Sequence, residues 1–186
     1  MRIIAGRFRG RALASVGKGD KAGHLRPTTD RVRESLFSML AGGRFGDPLT
    51  DARVLDLFAG TGALGLEALS RGSEHACFVD EGRVAARLIR ENIAKCGVER
   101  ATTLIQRDAT RLGTNPDAAF TLVFCDPPYG KAMGEAALAE ALAGGWIAPG
   151  ALVIWEESAA VIPPEGLALL DERRYGDTTI RILEAT

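Results

Sequence analysis

Residues 54–65 read Val54-Leu55-Asp56-Leu57-Phe58-Ala59-Gly60-Thr61-Gly62-Ala63-Leu64-Gly65. An apolar run ends in a glycine-rich turn and passes straight into a helical pattern. Val54–Phe58 is short and apolar, as a buried strand is, and Gly62–Arg71 has helical spacing that Gly72 terminates. Gly60, Gly62 and Gly65 satisfy the pattern G-x-G-x-x-G, and Asp80 follows Gly60 by twenty residues. Glycines at these points permit a tight turn and close packing of helix on strand, and the later acid stands where a ribose-binding carboxylate is expected.

The pattern repeats downstream. His75–Asp80, Thr102–Arg107, Phe120–Asp126 and Ala151–Glu156 read as strands. Arg83–Cys96 reads as a helix with Ala85, Ile89, Ile93 and Cys96 on one side and Gly97 as its stop, and residues 132–143 form an Ala-rich helix. Leu167–Tyr175 and Thr178–Leu183 read as a closing antiparallel pair turned at Gly176-Asp177. Strands alternating with helices predict an α/β domain with a mainly parallel, Rossmann-like sheet and helices on both faces.

Upstream the character differs. Residues 2–13 read as extended, with Arg7, Arg9 and Arg11 alternating with Phe8 and Gly10, so a strand would set the three arginines in one basic stripe. Residues 14–24 read as a loop. Thr29 or Asp30 then caps a helix in which Val32, Leu36, Met39 and Leu40 recur at helical spacing, and Gly42-Gly43 ends it. We divide the chain into a basic extension over residues 1–45, hairpin then helix, and a domain over residues 46–186.

The 186 residues are 46% hydrophobic and 25% charged, in the range of a single globular domain. No run of about 18 apolar residues is present, which excludes a membrane-spanning helix. Cys77, Cys96 and Cys125 are odd in number and form no C-x-x-C pair, which argues against a disulfide framework or a thiolate zinc site and for a reducing cytosol. The net charge of −1 hides an asymmetry: residues 1–36 hold nine Lys/Arg and three acids, a net +6, and the remainder carries −7. A basic head on an acidic body points to a phosphate-bearing partner met by the head. Gly6, Gly10, Gly17 and Gly19 argue against reading that head as an amphipathic targeting helix.

Three acids fall at or near the carboxyl ends of predicted strands: Asp56, Asp80 and Asp126. In an open α/β sheet the ligand binds just beyond those ends. The glycine motif alone is compatible with a dinucleotide, with a methyl donor or with a plain packing turn. Asp56 weighs against a pyrophosphate at the helix N-terminus and for a ligand with a cationic end, such as S-adenosylmethionine. The second motif is Asp126-Pro127-Pro128-Tyr129. Two prolines remove two N–H donors, so this turn presents acceptors, which suits an exocyclic amine, and Tyr129 offers a face on which a planar base can stack.

With these residues in place the chain resembles a known family. The glycine motif with Asp126-Pro127-Pro128-Tyr129 is similar to class I amino-methyltransferases. MRIIAGRFRGRAL, LRPTTDRVRESLF, VLDLFAGTGALGLEALSRG and FCDPPYG together resemble the bacterial 16S ribosomal RNA guanine-N(2) methyltransferases, the RsmD family, from Met1 to the closing YGDTTIRIL. The resemblance implies S-adenosylmethionine as cofactor and a guanine amine of 16S rRNA, in the small ribosomal subunit or its assembly intermediate, as substrate. It implies that Asp56, Phe58, Gly60, Thr61 and Gly62 line the methionine part of the cofactor. It further implies that Asp80 takes the ribose hydroxyls, that Asp108 and Ala109 meet the adenine, and that Asp126, Pro127, Pro128 and Tyr129 receive the target amine. Arg7, Arg9, Arg11, Arg26, Arg31 and Arg33 are expected on RNA phosphates. A cytoplasmic monomer with no metal and no membrane contact completes the expectation.

Other features rank as structural. Cys125 should point to the far side of its strand and into the core, His24 and His75 have no partner at metal spacing, and Trp146 and Trp155 are packing residues. The Arg83, Arg87 and Arg90 stripe reads as a solvated face. The rival functions are a DNA adenine-N(6) methyltransferase, a non-catalytic RNA-binding protein on a Rossmann scaffold, and a dinucleotide oxidoreductase. Fewer than 60 residues precede the first sheet strand, too few for a separate DNA-recognition domain.

Overall fold

The computed structural model describes residues 1–15, 30–128 and 131–186. Among these, seven strands form one sheet in the order β3-β2-β1-β4-β5-β7-β6. β1 (Arg53–Leu57) lies between β2 (His75–Val79) and β4 (Phe120–Cys125), parallel to both. β3 (Thr102–Ile105) extends the sheet parallel beyond β2, and β5 (Ile147–Glu157) extends it beyond β4. β6 (Leu167–Tyr175) and β7 (Thr178–Ala185) form the expected antiparallel pair, with β7 inserted against β5. The chain thus winds outward one way from β1 to β3 and then restarts on the other side at β4. That reversal leaves a crevice beyond the carboxyl ends of β1 and β4.

Helix α2 (Ala63–Ser70) follows β1, α3 (Arg83–Cys96) follows β2, and α4 (Met133–Ala143) follows β4. Side chains of a strand alternate between the faces of a sheet. Val54, Phe78 and Phe124 therefore point to one layer with α2 and α3. Leu55, Cys77, Val79 and Cys125 point to the other with Ala137, Leu138 and Ala141 of α4. Each fully buried aliphatic or aromatic side chain contributes about 1.5–3 kcal/mol. Cys125 is core, as its strand parity predicts, and burial drives its thiol pKa well upward. Trp146 stacks on Phe120, with centroids 6.1 Å apart, and donates from Nε1 to Gly113 O.

Most strand boundaries shift by one to four residues from expectation, and β7 runs on to Ala185. β3 stops at Ile105, since Gln106 and Arg107 are exposed. β5 begins at Ile147 because it carries an irregular register against β4 over its exposed Pro149 and Gly150 before regular pairing resumes at Leu152.

The basic head is not the extended stripe that alternation predicts. Met1–Ile3 and Arg11–Leu13 pair antiparallel through Ile3 N to Arg11 O and Leu13 N to Met1 O, but Gly6–Phe8 coils into a 3-10 turn. Phe8 is buried, and the guanidinium carbons of Arg7 and Arg11 lie 4.5 and 5.5 Å from its ring centroid. The arginines gather around an aromatic anchor, and Arg7, Arg9 and Arg11 remain exposed.

Buried polar groups fasten this head to the sheet layer. Glu67 of α2 is fully buried and accepts from Ile4 N at 2.8 Å, Ala5 N at 3.0 Å and Arg71 Nε at 2.8 Å. Ser70 Oγ accepts from Phe8 N and donates to Ala5 O. Gly6 must be glycine here, because a Cβ would come within 1.9 Å of Ser70 O and φ is +79°. Stranding a buried polar group costs roughly 1–3 kcal/mol, so these bonds specify the docking. Ile3, Phe8 and Leu13 enter the same core as Leu36, Phe37 and Leu40 of α1 (Asp30–Leu40).

Arg33 corrects an expectation. Its side chain is fully buried, donates to Arg2 O and pairs with Asp30 at 2.9 Å. Burial lowers its pKa, against the opposing pull of Asp30 and Glu67. It joins α1 to the head and is closed to RNA, whereas Arg31 is exposed. Arg26 lies outside the described residues, as do residues 16–24 of the expected loop.

Candidate active site at the carboxyl ends of the strands

A cavity of about 490 Å³ opens beyond the carboxyl ends of β1 to β4. Its walls include Phe58 after β1, Asp80 after β2, Asp108 and Ala109 after β3, and Asp126 and Pro128 after β4. This volume suits a ligand of cofactor size. A hollow of about 530 Å³ lies at the opposite end of the sheet near Ala52, Thr121 and Gly150. It gathers none of the strand-end carboxylates predicted to carry chemistry.

The turn after β1 is built from backbone constraints. Phe58 has φ +60°, a left-handed conformation that is strained for a bulky side chain and is retained mostly at functional sites. Gly60 and Gly62 also have positive φ, and Gly62 starts α2 with no side-chain cap. Gly65 serves packing: a Cβ there would stand 2.5 Å from Phe78 Cε1.

Asp80 joins the turn to the next loop. Its Oδ2 accepts from Gly60 N at 2.9 Å and its Oδ1 from Gly82 N at 2.8 Å. Twenty residues apart in sequence, Gly60 and Asp80 are thus in direct contact, which the sequence reading does not anticipate. Each oxygen retains acceptor capacity, and the side chain is half-buried beside the cavity. Asp108 caps the short 3-10 turn Ala109–Arg111, its Oδ1 accepting from Thr110 N and Thr110 Oγ1. These bonds lower its pKa and keep it ionised. Asp126 is half-buried and Pro127 is buried, with Asp126 N directed at Leu57 O across the β1–β4 crevice. Tyr129 lies outside the described residues.

Asp56 departs from expectation. It is 2% exposed and is absent from the cavity wall, where Gly60, Thr61 and Gly62 are absent too. Its Oδ2 accepts from Gly65 N at 3.0 Å, so it braces the turn from beneath. Desolvation pushes its pKa up to about 8, with the Asp80 charge adding to the rise and the Gly65 bond opposing it. Sequence position showed the acid near a strand end but not the parity that aims it under α2.

Three groups here were missed as functional from sequence alone. Glu67, Ser70 and Asn92 read as ordinary helical polar residues, yet all three are buried and bond the head. The one available signal is an acid or amide placed on the apolar side of a helical repeat. His75 meets Thr103 Oγ1 at 3.2 Å, and Arg87 and Arg90 are exposed as expected, whereas Arg83, also exposed, lines the cavity.

The Asp56 carboxyl generates a pH dependence. Its folded pKa lies above its unfolded value of 3.8, so the folded state binds the extra proton between those limits and stability falls as pH rises toward 8. Asp56→Asn keeps an acceptor for Gly65 N–H and removes the ionisation. Urea unfolding at pH 6 and pH 9 should show the variant losing less stability over that interval than the parent; parallel losses would contradict the buried-acid assignment.

The profile of the family described as Conserved hypothetical protein 95 matches residues 1–184. The Escherichia coli (strain K12) protein named ribosomal RNA small subunit methyltransferase D is 35% identical over 187 residues, covering 99% of this chain and 89% of that protein. The solved structure of yhhF from Escherichia coli superimposes with a TM-score of 0.82 at 34% identity, over 100% of this chain and 97% of that one. A Salinibacter ruber RNA methyltransferase, solved in complex with S-adenosyl-L-homocysteine, shares the fold at a TM-score of 0.63 and 16% identity, over 86% of this chain and 93% of that one. The sheet is that of class I methyltransferases, and by full-length match and identity the chain belongs to the Conserved hypothetical protein 95 family, the RsmD family of the sequence resemblance.

Proposed function

We propose that this protein transfers a methyl group from S-adenosylmethionine to the exocyclic N(2) amine of one guanine in 16S rRNA of the small ribosomal subunit. The observation that carries this reading is the meeting of Asp80, Asp108 and Asp126 at one cavity, beside a glycine turn that the basic head adjoins. Met1 Sδ of that head lies 3.6 Å from Thr61 Oγ1. The name of the Escherichia coli relative agrees with the reading.

The donor set fits the cofactor. Carboxylates at the strand ends, Asp80 and Asp108 among them, suit ammonium and hydroxyl donors rather than a phosphate. When bound, S-adenosylmethionine supplies an electrophilic methyl on a sulfonium. Asp80 would hold the ribose hydroxyls, Asp108 and Ala109 would border the adenine, and Phe58 with the Gly60, Thr61 and Gly62 turn, braced by Asp56, would shape the methionine end. Asp126 and the Pro127-Pro128 turn accept hydrogens from the guanine amine. A purine amine is a poor nucleophile because its lone pair is delocalised into the ring. Acceptors aimed at its hydrogens localise that pair as nitrogen gains the methyl carbon and positive charge. As the nitrogen–methyl bond formed, the methyl–sulfur bond would break with its electron pair left on sulfur, and the surplus amine proton would pass by way of the Asp126 carboxylate to water. Tyr129 stacks on the splayed base.

Residues 1–45 act as the RNA-binding extension and residues 46–186 as the catalytic domain, on a monomer whose site comes from one polypeptide. Ribosomal RNA as substrate places the reaction in the cytoplasm. Arg7, Arg9, Arg11, Arg26 and Arg31 meet phosphates.

Asp126→Ala should lower turnover by about 100-fold or more, by analogy with the loss of one preorganised hydrogen-bonding group that acts in the transition state. Calorimetry should find its affinity for S-adenosylhomocysteine within a few-fold of the parent, while Asp80→Ala weakens that affinity at least tenfold. Near-normal methyl transfer by folded Asp126→Ala would contradict the assigned chemistry.

Replacing Arg7, Arg9 and Arg11 together by Ala should weaken rRNA binding and flatten its logarithmic salt dependence by roughly two units, each lost phosphate contact accounting for about 0.7 to 0.9. Arg33→Met should leave that slope unchanged. Filter binding at several salt concentrations measures both, and an unaltered slope in the triple variant would move the RNA footprint off the head.

A further inference from the structure

Asn92 lies on the apolar side of α3, in the same helix as the buried Ile89 and Ile93, and is itself fully buried. Burying a carboxamide is costly unless its groups are bonded, so its partners define its purpose. Its Oδ1 accepts from Ala14 N at 2.6 Å. Its Nδ2 donates to Ala14 O at 3.1 Å and to Thr61 O at 2.9 Å. One side chain thus holds both backbone groups of a residue in the basic head and the central carbonyl of the glycine turn.

The Thr61–Gly62 peptide is fixed at both ends by this arrangement. Asn92 takes its carbonyl, and its N–H donates to Ala59 O at 2.7 Å. The head reaches α3 a second time, where Arg11 Nη1 donates to Lys95 O. Packing alone would be met by an aliphatic side chain, as at Ile89 and Ile93. The amide adds a specific connection between two segments that the proposed function gives to different ligands.

We infer that Asn92 is a positioning residue that ties the RNA-binding head to the cofactor turn, so that rRNA and cofactor bind cooperatively. The inference rests on the proposed reading of those two sites. Either ligand, by ordering its own segment, orders the other through the shared amide, and the second ligand meets less ordering cost. Linkage requires the effect to be reciprocal and equal in both directions.

The test is calorimetric titration of the full-length protein with S-adenosylhomocysteine, alone and with a saturating 16S rRNA fragment, and of the fragment with and without S-adenosylhomocysteine. The expected result is a gain of about fivefold or more in each affinity, equal in the two directions. Asn92→Ala should bring the factor close to one while each ligand still binds alone. Asn92→Asp, which keeps Oδ1 and loses both N–H donors, should reduce it as well. A purely structural role would lower the melting temperature and leave the factor intact. If the variants do not fold, hydrogen exchange on the parent protein decides: S-adenosylhomocysteine should slow the Ala14 amide, and RNA should slow the Gly62 amide. A factor of one in the parent, unchanged exchange at both amides, or parental coupling in Asn92→Ala would overturn the inference. A parent protein that binds neither ligand would contradict the proposed function and remove the inference with it.

Discussion

The bond between the Asp80 carboxylate and the Gly60 amide organises this molecule. It spans two parallel strands and fixes the turn that opens α2. With its other oxygen on Gly82 N, the same carboxylate also sets the start of α3. The turns that lead into two crossover helices are therefore bonded to one side chain. The crevice between β1 and β4 is a consequence of strand order, but its shape depends on that anchor. Phe58 in a left-handed conformation and the glycines beyond it are tolerable because the surrounding bonds leave the turn no alternative.

The head shares the apolar core through Ile3, Phe8 and Leu13 and is held in addition by buried polar bonds. Aliphatic and aromatic burial joins strands to helices, whereas Glu67, Ser70, Asn92 and Arg33 join residues 1–15 to that framework through bonds to backbone. Apolar contact alone would let the head slide on α2. Backbone amides on a buried carboxylate admit one register, since any shift strands charged or polar groups without water. This is the arrangement required if exposed arginines at one end are to stand at a defined place relative to a cavity at the other.

Much of this organisation could be read from residue pattern. Apolar runs of four to six residues, glycine stops and Ala-rich spacing located the strands and helices of the sheet domain within a few residues. Asp80 and Asp126 were placed at strand ends because each directly follows an apolar run. The head was read less well. Alternating arginines imitate a strand, but Gly6 and Gly10 turn the chain and Phe8 is pulled into the core, so tertiary packing overrides the local period. The burial of Arg33 and of Asp56 is hard to read for one reason. Charge in a sequence says nothing of which way a side chain faces, and both face inward, where burial moves the pKa of each toward its neutral form. Glu67 and Asn92 went unnoticed because a polar residue in a helix is usually solvated.

The central claim is that the cavity methylates a guanine amine. Small ribosomal subunits from cells lacking this protein, incubated with the purified chain and radiolabelled S-adenosylmethionine, can be digested to nucleosides and separated. Label should appear in N(2)-methylguanosine, from a single position of 16S rRNA. Label in N(6)-methyladenosine, or no transfer to subunits or to free 16S rRNA by folded protein, would contradict it.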